Sequence, residues 1–210
     1  MGATIAQAVE IADISFDSRG LIACVAQDRL SGEVLMLAWM NAEAFRLTRS
    51  TGELHLYSRS REEIWRKGAT SGNILKVSAL RLDCDGDAML AIVDPAGPAC
   101  HTGQRTCFHS GDLEPLATFE VLPELERTII ERQTLQPEGS YTAKLLADPS
   151  FAGEKVEEEA EEVVRAVREE TDERVAEEAA DLLYHLIVMM RGRGLGIEDA
   201  CRVLGERRAG

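Results

Sequence analysis

The sequence predicts an α+β N-terminal domain, mostly antiparallel strands with a short helix, followed by an all-α helical-bundle domain. Three observations lead there. Up to about residue 110, short apolar runs alternate with Gly, Pro, Asp and Asn turn signals. From residue 122 onward the apolar residues recur at helical spacing among glutamates. The charge shifts at the same place: residues 1–113 hold 11 Lys/Arg against 14 Asp/Glu, and residues 114–210 hold 12 against 23. The domains are therefore expected at 1–113 and 114–210, with the boundary inside residues 112–118 and no long flexible linker.

Taking the elements in order, Gly20 opens an apolar strand to Ala26, Arg29-Leu30-Ser31-Gly32 is a turn, and residues 33–39 make the returning strand. Asn41 caps a short helix over 42–50 that Gly52 ends. Residues 54–58, 74–83 and 89–93 read as further strands, and Pro95, Gly97 and Pro98 break the last one into a loop carrying Cys100 and Cys107. The second half reads as helices over 122–135, 153–170, 173–191 and 197–207. No internal repeat is visible.

Composition excludes several classes. Hydrophobic residues make up 45% of the 210, which is ordinary for a chain with a proper core. No apolar run reaches transmembrane length, and the start MGATIAQAVEIAD has neither the basic residues nor the apolar stretch of a signal peptide. A cytoplasmic protein is expected. A net charge of −14 argues against nucleic acid and anionic membrane surfaces as partners. Five cysteines in a chain without an export signal do not suggest a disulfide framework. Cys24, in an apolar strand, and Cys201, in the last helix, are expected to be packing residues. Cys84, Cys100 and Cys107 remain as metal ligands.

These three lie among carboxylates: Asp83-Cys84-Asp85-Gly86-Asp87, then Cys100-His101 and Cys107. Thiolates suit Zn²⁺ and carboxylates suit Mg²⁺, so the segment reads as built for two metals. If residues 80–85 are a strand, Leu80, Leu82 and Cys84 face one way and Arg81, Asp83 and Asp85 the other. Asp85-Gly86 is also a hairpin turn signal. Within 153–170, Val156, Ala160, Val163, Val164 and Val167 form one apolar stripe. Glu158, Glu159 and Glu162 flank it on one side and Glu157 and Glu161 on the other. In 173–191, Glu178, Asp181 and His185 share a face. Packing the two helices converges these acids, and converging like charges call for a cation, with Mg²⁺ the economical choice.

Trp65-Arg66-Lys67-Gly68-Ala69-Thr70-Ser71-Gly72-Asn73, Asp83-Cys84-Asp85-Gly86-Asp87, Gly97-Pro98-Ala99-Cys100-His101-Thr102-Gly103 and Cys107-Phe108 together resemble the phosphoribosyl-AMP cyclohydrolase family, over about residues 10–113. Ala69 stands where that family's pattern carries Glu. Residues 122–210 resemble phosphoribosyl-ATP pyrophosphatase. The residues carrying that likeness are Glu131-Arg132, the Gly139–Leu145 stretch with Ser140, Tyr141 and Lys144, then Lys155 with Glu158, Glu159 and Glu162, and Glu178, Asp181, Tyr184 and His185. The whole is similar to fused bifunctional enzymes of histidine biosynthesis.

That resemblance implies two hydrolyses. The C-terminal half is expected to release pyrophosphate from phosphoribosyl-ATP with Mg²⁺ on Glu158, Glu159, Glu162, Glu178 and Asp181. Arg132, Ser140, Tyr141, Lys144, Lys155 and His185 are its expected substrate contacts. The N-terminal half is expected to open the adenine ring of phosphoribosyl-AMP at N1–C6. Zinc on Cys84, Cys100 and Cys107 leaves a fourth position for the attacking water. Mg²⁺ is expected on Asp83, Asp85 and Asp87, and the substrate on Arg59, Arg61, Trp65, Lys67 and Ser71. Three thiolates blunt the acidity zinc confers on water, so a nearby base helps. His101 is nearest in sequence, with His55 and His109 as alternatives. The resemblance also implies a homodimer that shares zinc ligands. A free-base deaminase is rejected, because its His-x-Glu and Pro-Cys-x-x-Cys pattern is absent. Two rivals stay open: a general nucleoside triphosphate pyrophosphohydrolase with a structural zinc domain, and a non-enzymatic, zinc-stapled dimer module.

Overall fold

In the computed structural model, residues 8–113 and 118–209 are described. Contacts within the chain divide it into two units, Met1–Leu116 and Ala117–Gly210. The leaderless reading of the N-terminus in part concerns residues 1–7, which lie outside the described residues, as does the centre of the expected boundary, residues 114–117.

The first unit is a six-stranded sheet: β1 (Leu21–Asp28), β2 (Val34–Asn41), β3 (His55–Ser58), β4 (Glu63–Arg66), β5 (Leu75–Leu82) and β6 (Ala88–Pro95), in the order β4-β3-β2-β1-β6-β5. All neighbours pair antiparallel except β1 and β6, which run parallel with Cys24 opposite Met89. In β1 the period-two rule puts Ile22, Cys24 and Ala26 on the buried face. They pack there with Leu35, Met40, Leu56, Met89 and Val93. Cys24 is a packing residue as expected, and its burial pushes the thiol up to about 12. Helix α1 (Ala42–Thr51) begins where Asn41 Oδ1 accepts from Ala44 N at 2.8 Å and ends at Gly52 in the left-handed region. Its Ala44, Phe45 and Thr48 are buried.

Two expectations need correction in this unit. β5 stops at Leu82, so Cys84 and Asp85 belong to the β5–β6 hairpin turn and strand alternation does not govern which way they face. Asp83 Oδ1 instead accepts from Ala88 N at 3.1 Å and closes that turn. β4 was not expected, because four residues with only Ile64 and Trp65 apolar carry no pattern of their own. Its pairing with β3 defines it.

The second unit is all helical: α2 (Val121–Leu135), α3 (Tyr141–Ala147), α4 (Pro149–Glu169), α5 (Asp172–Gly192) and α6 (Ile197–Ala209). α4 and α5 form a hairpin, with Asp148 capping the first and Thr171 the second. The core gathers Ile129, Leu145, Ala152, Ile187 and Val188. The apolar stripe expected on α4 is only partly the packed face: Val156, Ala160 and Val163 are half-buried, whereas Val164 and Val167 are 48% and 65% exposed. The buried series is Ala152, Glu159 and Ala166, spaced by seven residues, two full turns, which puts all three on one face of α4. Cys201 is exposed on α6, contrary to the packing role expected of it.

Candidate functional sites

One end of the sheet opens into a cleft of about 890 Å³ in the first unit. β2 contributes Trp39, β3 contributes Tyr57 and Ser58, the β3–β4 turn contributes Arg59 and Arg61, and β4 with the loop after it contributes Trp65, Lys67 and Ser71. Cys100 and His101 also line it. All five expected substrate residues of this half therefore line one space, together with the expected base. The Arg59 guanidinium lies 4.5 Å from the Trp39 ring centre, which holds a long flexible cation in place. Lys67 is only 8% exposed, and its desolvation lowers the ammonium pKa against the opposing pull of Cys107 and Cys100.

Two glycines explain how the motifs meet. At Gly68 (φ +82°) a Cβ would stand 2.4 Å from the Asn73 carbonyl, so the loop 68–73 closes on itself only around glycine. At Gly97 a Cβ would stand 2.5 Å from Asn73 Oδ1, so the loop leading to Cys100 rests against the loop following Lys67.

Cys100 is buried. Its Sγ receives the Thr102 hydroxyl at 3.1 Å and lies 3.7 Å from His109 Nε2 and 3.8 Å from His101 Nδ1. The Thr102 hydroxyl and backbone N–H stabilise the thiolate and bring the Cys100 pKa down to about 6. Cys107 beside it is raised, first by desolvation and then by the Cys100 charge. Cys84 is exposed, and among the described residues no three ligand atoms within 4.8 Å of one another include it with Cys100 and Cys107. One chain thus brings two of the three cysteines together. His55 is engaged elsewhere, its Nδ1 2.8 Å from Glu53 O, and does not line the cleft.

Asp83, Asp85 and Asp87 converge in the exposed hairpin turn, one oxygen from each lying within 4.8 Å of the others. Ala88 N–H holds Asp83 below the usual carboxylate range, whereas the charges of Asp85 and Asp83 raise Asp87. The turn is anchored by Ser15, whose hydroxyl donates to Asp85 O at 2.9 Å and whose N–H donates to Gly86 O at 2.9 Å. The turn and metal readings of this segment are compatible.

In the second unit Glu159, Glu178 and Asp181 converge in the same way, with Glu159 and Glu178 only 6% and 3% exposed. Burial raises Glu178 first, with Glu162 and Glu159 adding to it and Arg174 opposing. Lys155 pairs with Glu158 and lies 3.4 Å from Glu159, while Arg174 pairs with Glu178. Glu158 faces outward and Glu162 is held by Arg165 at 3.2 Å, so neither belongs to the tight trio, although Glu162 borders Glu178. His185 is buried, its Nδ1 2.9 Å from Asp181 O and its Nε2 3.2 Å from the Tyr141 hydroxyl. Ser140 caps α3 by accepting from Ala143 N, Lys144 sits over the Phe151 ring at 4.4 Å, and Arg132 is half-buried on α2. The sequence reading missed Trp39, Tyr57, Thr102 and Arg174. Thr102 lies within the Cys-His-Thr-Gly motif and Arg174 is four residues before Glu178, so spacing alone could have pointed to both.

Comparison with known proteins decides between the open readings. Residues 36–109 match the family model described as phosphoribosyl-AMP cyclohydrolase, and residues 122–208 match that of phosphoribosyl-ATP pyrophosphohydrolase. The chain is 46% identical to the histidine biosynthesis bifunctional protein HisIE of Bacillus subtilis over 198 residues, covering 93% of this chain and 95% of that one. It is 47% identical to the Gloeobacter violaceus protein of the same name (92% and 89% covered) and 43% identical to that of Thermus thermophilus (95% and 94%). The chain belongs to this HisIE family. It is a bifunctional hydrolase of histidine biosynthesis, with cyclohydrolase followed by pyrophosphohydrolase, and the two rival readings fall away. Among its described residues no helix is long and apolar enough to cross a membrane.

Proposed function

We propose that Cys100 and Cys107 hold zinc together with Cys84 from a second copy of the chain, and that Glu159, Glu178 and Asp181, bordered by Glu162 and Glu158, hold Mg²⁺. The donor chemistry fits. A thiolate already favoured at neutral pH suits a soft ion, and Cys107, disfavoured by its neighbour's charge, gains from a cation between them. Two buried carboxylates and Asp181, within 4.8 Å of one another, suit a hard one. The turn acids Asp83, Asp85 and Asp87 offer Mg²⁺ a similar set at the surface.

The observation that carries the cyclohydrolase mechanism is the shared cleft, lined by Arg59, Arg61 and Lys67 together with Cys100 and His101. Arg59, Arg61, Lys67 and Ser71 hold substrate phosphates, and Trp65 and Trp39 give the purine aromatic surface. Zinc, when bound, supplies a water activated toward C6, the carbon left electron-poor by ribosylation at N1. His101, with Nδ1 toward the sulfur, takes that water's proton at Nε2 and returns a proton to the departing ring nitrogen. In the helical half Glu159, Glu178 and Asp181 would hold Mg²⁺, which would supply charge compensation for the phosphates and orientation of the water. Lys155, Lys144 and Arg132 meet phosphate oxygens, and Tyr141 faces the substrate with His185 behind it.

The division is proposed at residues 1–113 for the cyclohydrolase and 114–210 for the pyrophosphohydrolase. The protein is read as a cytoplasmic homodimer acting on nucleotides, with its net charge of −14 disfavouring nucleic acid and membrane surfaces. Metal analysis tests the zinc reading. About one zinc per chain is expected in the wild type, with loss in Cys84→Ser, Cys100→Ser and Cys107→Ser. Full zinc and intact ring opening in Cys100→Ser would overturn it.

A further inference from the structure

We infer that Arg105 is a positioning residue for the cyclohydrolase, fixing the spacing of the Cys100 and Cys107 sulfurs through a buried carboxylate fork. The inference rests on the proposed role of those two cysteines as ligands. Arg105 lies between them in the chain and lines no part of the cleft. Its guanidinium meets the β1–β2 turn, where one amino group meets Asp28 Oδ2 and Ser31 Oγ and Nε meets Glu33 Oε2.

The receiving turn is rigid. Asp28 is only 3% exposed, and its other oxygen accepts from Leu30 N at 2.8 Å and Ser31 N at 3.3 Å. The backbone of Asp28 exchanges bonds within the turn, from its N–H to Glu33 O and from Gly32 N–H to its O. The loop bearing the cysteines is tied on both sides of Arg105. Ala99 N–H donates to Arg105 O at 2.9 Å and Cys100 N–H to Gln104 O at 3.0 Å. Beyond Arg105, the Thr106 hydroxyl donates to Val34 O at 2.7 Å and Cys107 N–H to Leu35 O at 2.8 Å.

These bonds give the loop a hairpin shape, and the Arg105 fork, beside the Thr106 hydroxyl, sets this hairpin against the sheet. A planar five-donor group on two carboxylates fixes orientation as well as distance, which a lysine cannot reproduce. A buried carboxylate such as Asp28 is otherwise costly to keep. Its retention at the base of a ligand loop is explained if the loop's geometry depends on it.

The test uses the full chain. Zinc affinity is measured by competition with a chromophoric chelator, and sulfur spacing in the metal-free chain by bridging with a trivalent arsenical, which captures two thiols only when they are close. Arg105→Gln is expected to lose roughly tenfold or more in zinc affinity, as for other residues that support metal ligands, and to slow arsenical bridging. Arg105→Lys is expected to recover only part of the loss, and pyrophosphate release is expected to stay at the wild-type rate. Leaving Asp28 buried and unpaired threatens folding. The double variant Asp28→Asn, Arg105→Gln removes both charges, and it is expected to stay folded and show the same two deficits. Zinc affinity and bridging within about twofold of wild type in a folded variant would overturn the inference. If the wild type itself bound no zinc through Cys100 and Cys107, the ligand reading would fail, and the bridging result alone would then decide the role of Arg105.

Discussion

The cysteine site and the glutamate site solve the same problem, converging charged ligands, with different parts of the fold. The glutamate site is built on helix faces. Ala152, Glu159 and Ala166 are buried on one face of α4 because seven residues make two turns, and Glu159, Glu178 and Asp181 are assembled within one chain. The cysteine site is built on loops. Cys100 and Cys107 hang from backbone bonds and the Arg105 fork, and Cys84 stands apart from them in a turn. Regular structure gives ligand convergence directly from periodicity. Loops need anchors elsewhere in the chain, and in the proposed zinc site this one also draws on a second copy.

If the two sites are separate, each can be broken alone. The largest effects are expected from ligand removal. Cys107→Ser should cut ring opening of phosphoribosyl-AMP by roughly 10³-fold while pyrophosphate release continues, so that phosphoribosyl-AMP accumulates from phosphoribosyl-ATP. Glu159→Gln or Asp181→Asn should do the reverse by a similar factor. Loss of both activities in either folded variant would replace two sites by one composite site.

A smaller contrast separates the two thiols. With its pKa lowered to about 6, Cys100 is mostly thiolate above that pH and loses the charge as pH falls through it, whereas Cys107 titrates above an ordinary thiol. Alkylation of the metal-free chain, read peptide by peptide, should show a Cys100 midpoint near pH 6 and a Cys107 midpoint above pH 9. Coincident midpoints would mean that Thr102 does not favour the Cys100 thiolate. The smallest effect is expected at the exposed α4 valines. Val167→Ser should change the stability of a monomeric chain by no more than about 0.5 kcal/mol. A larger loss that depends on protein concentration would show that this helix face is covered in an oligomer.

The sequence carried β1, β2, α1 and the long helices because turn residues and caps bound them: Asn41 and Gly52 delimit α1 within a residue of the expected span. It did not carry β4 or α3, which are too short to show a period and owe their form to pairing with β3 and to the Ser140 cap. Adjacent Glu158 and Glu159 look alike in the chain, yet one faces outward toward Lys155 and the other is buried against α5. Only the packed face distinguishes them. Cys84 was assigned a strand direction that the turn beginning at Asp83 removes.

The single parallel pairing in the sheet, Ala23 beside Ala88, has a consequence for how the chain comes to life. This contact bridges strands separated by four intervening ones' worth of sequence, so the sheet cannot be completed until β6 has been made and the long loop entropy overcome. The helical half is built mainly on the α4–α5 hairpin, whose helices are joined by a short turn. Although α2 also packs on α5, this local hairpin lowers the contact order and favours faster folding. On dilution from denaturant, pyrophosphate release should therefore return before ring opening does. A molecule recovering from denaturant would pass through an interval in which it makes phosphoribosyl-AMP without yet consuming it.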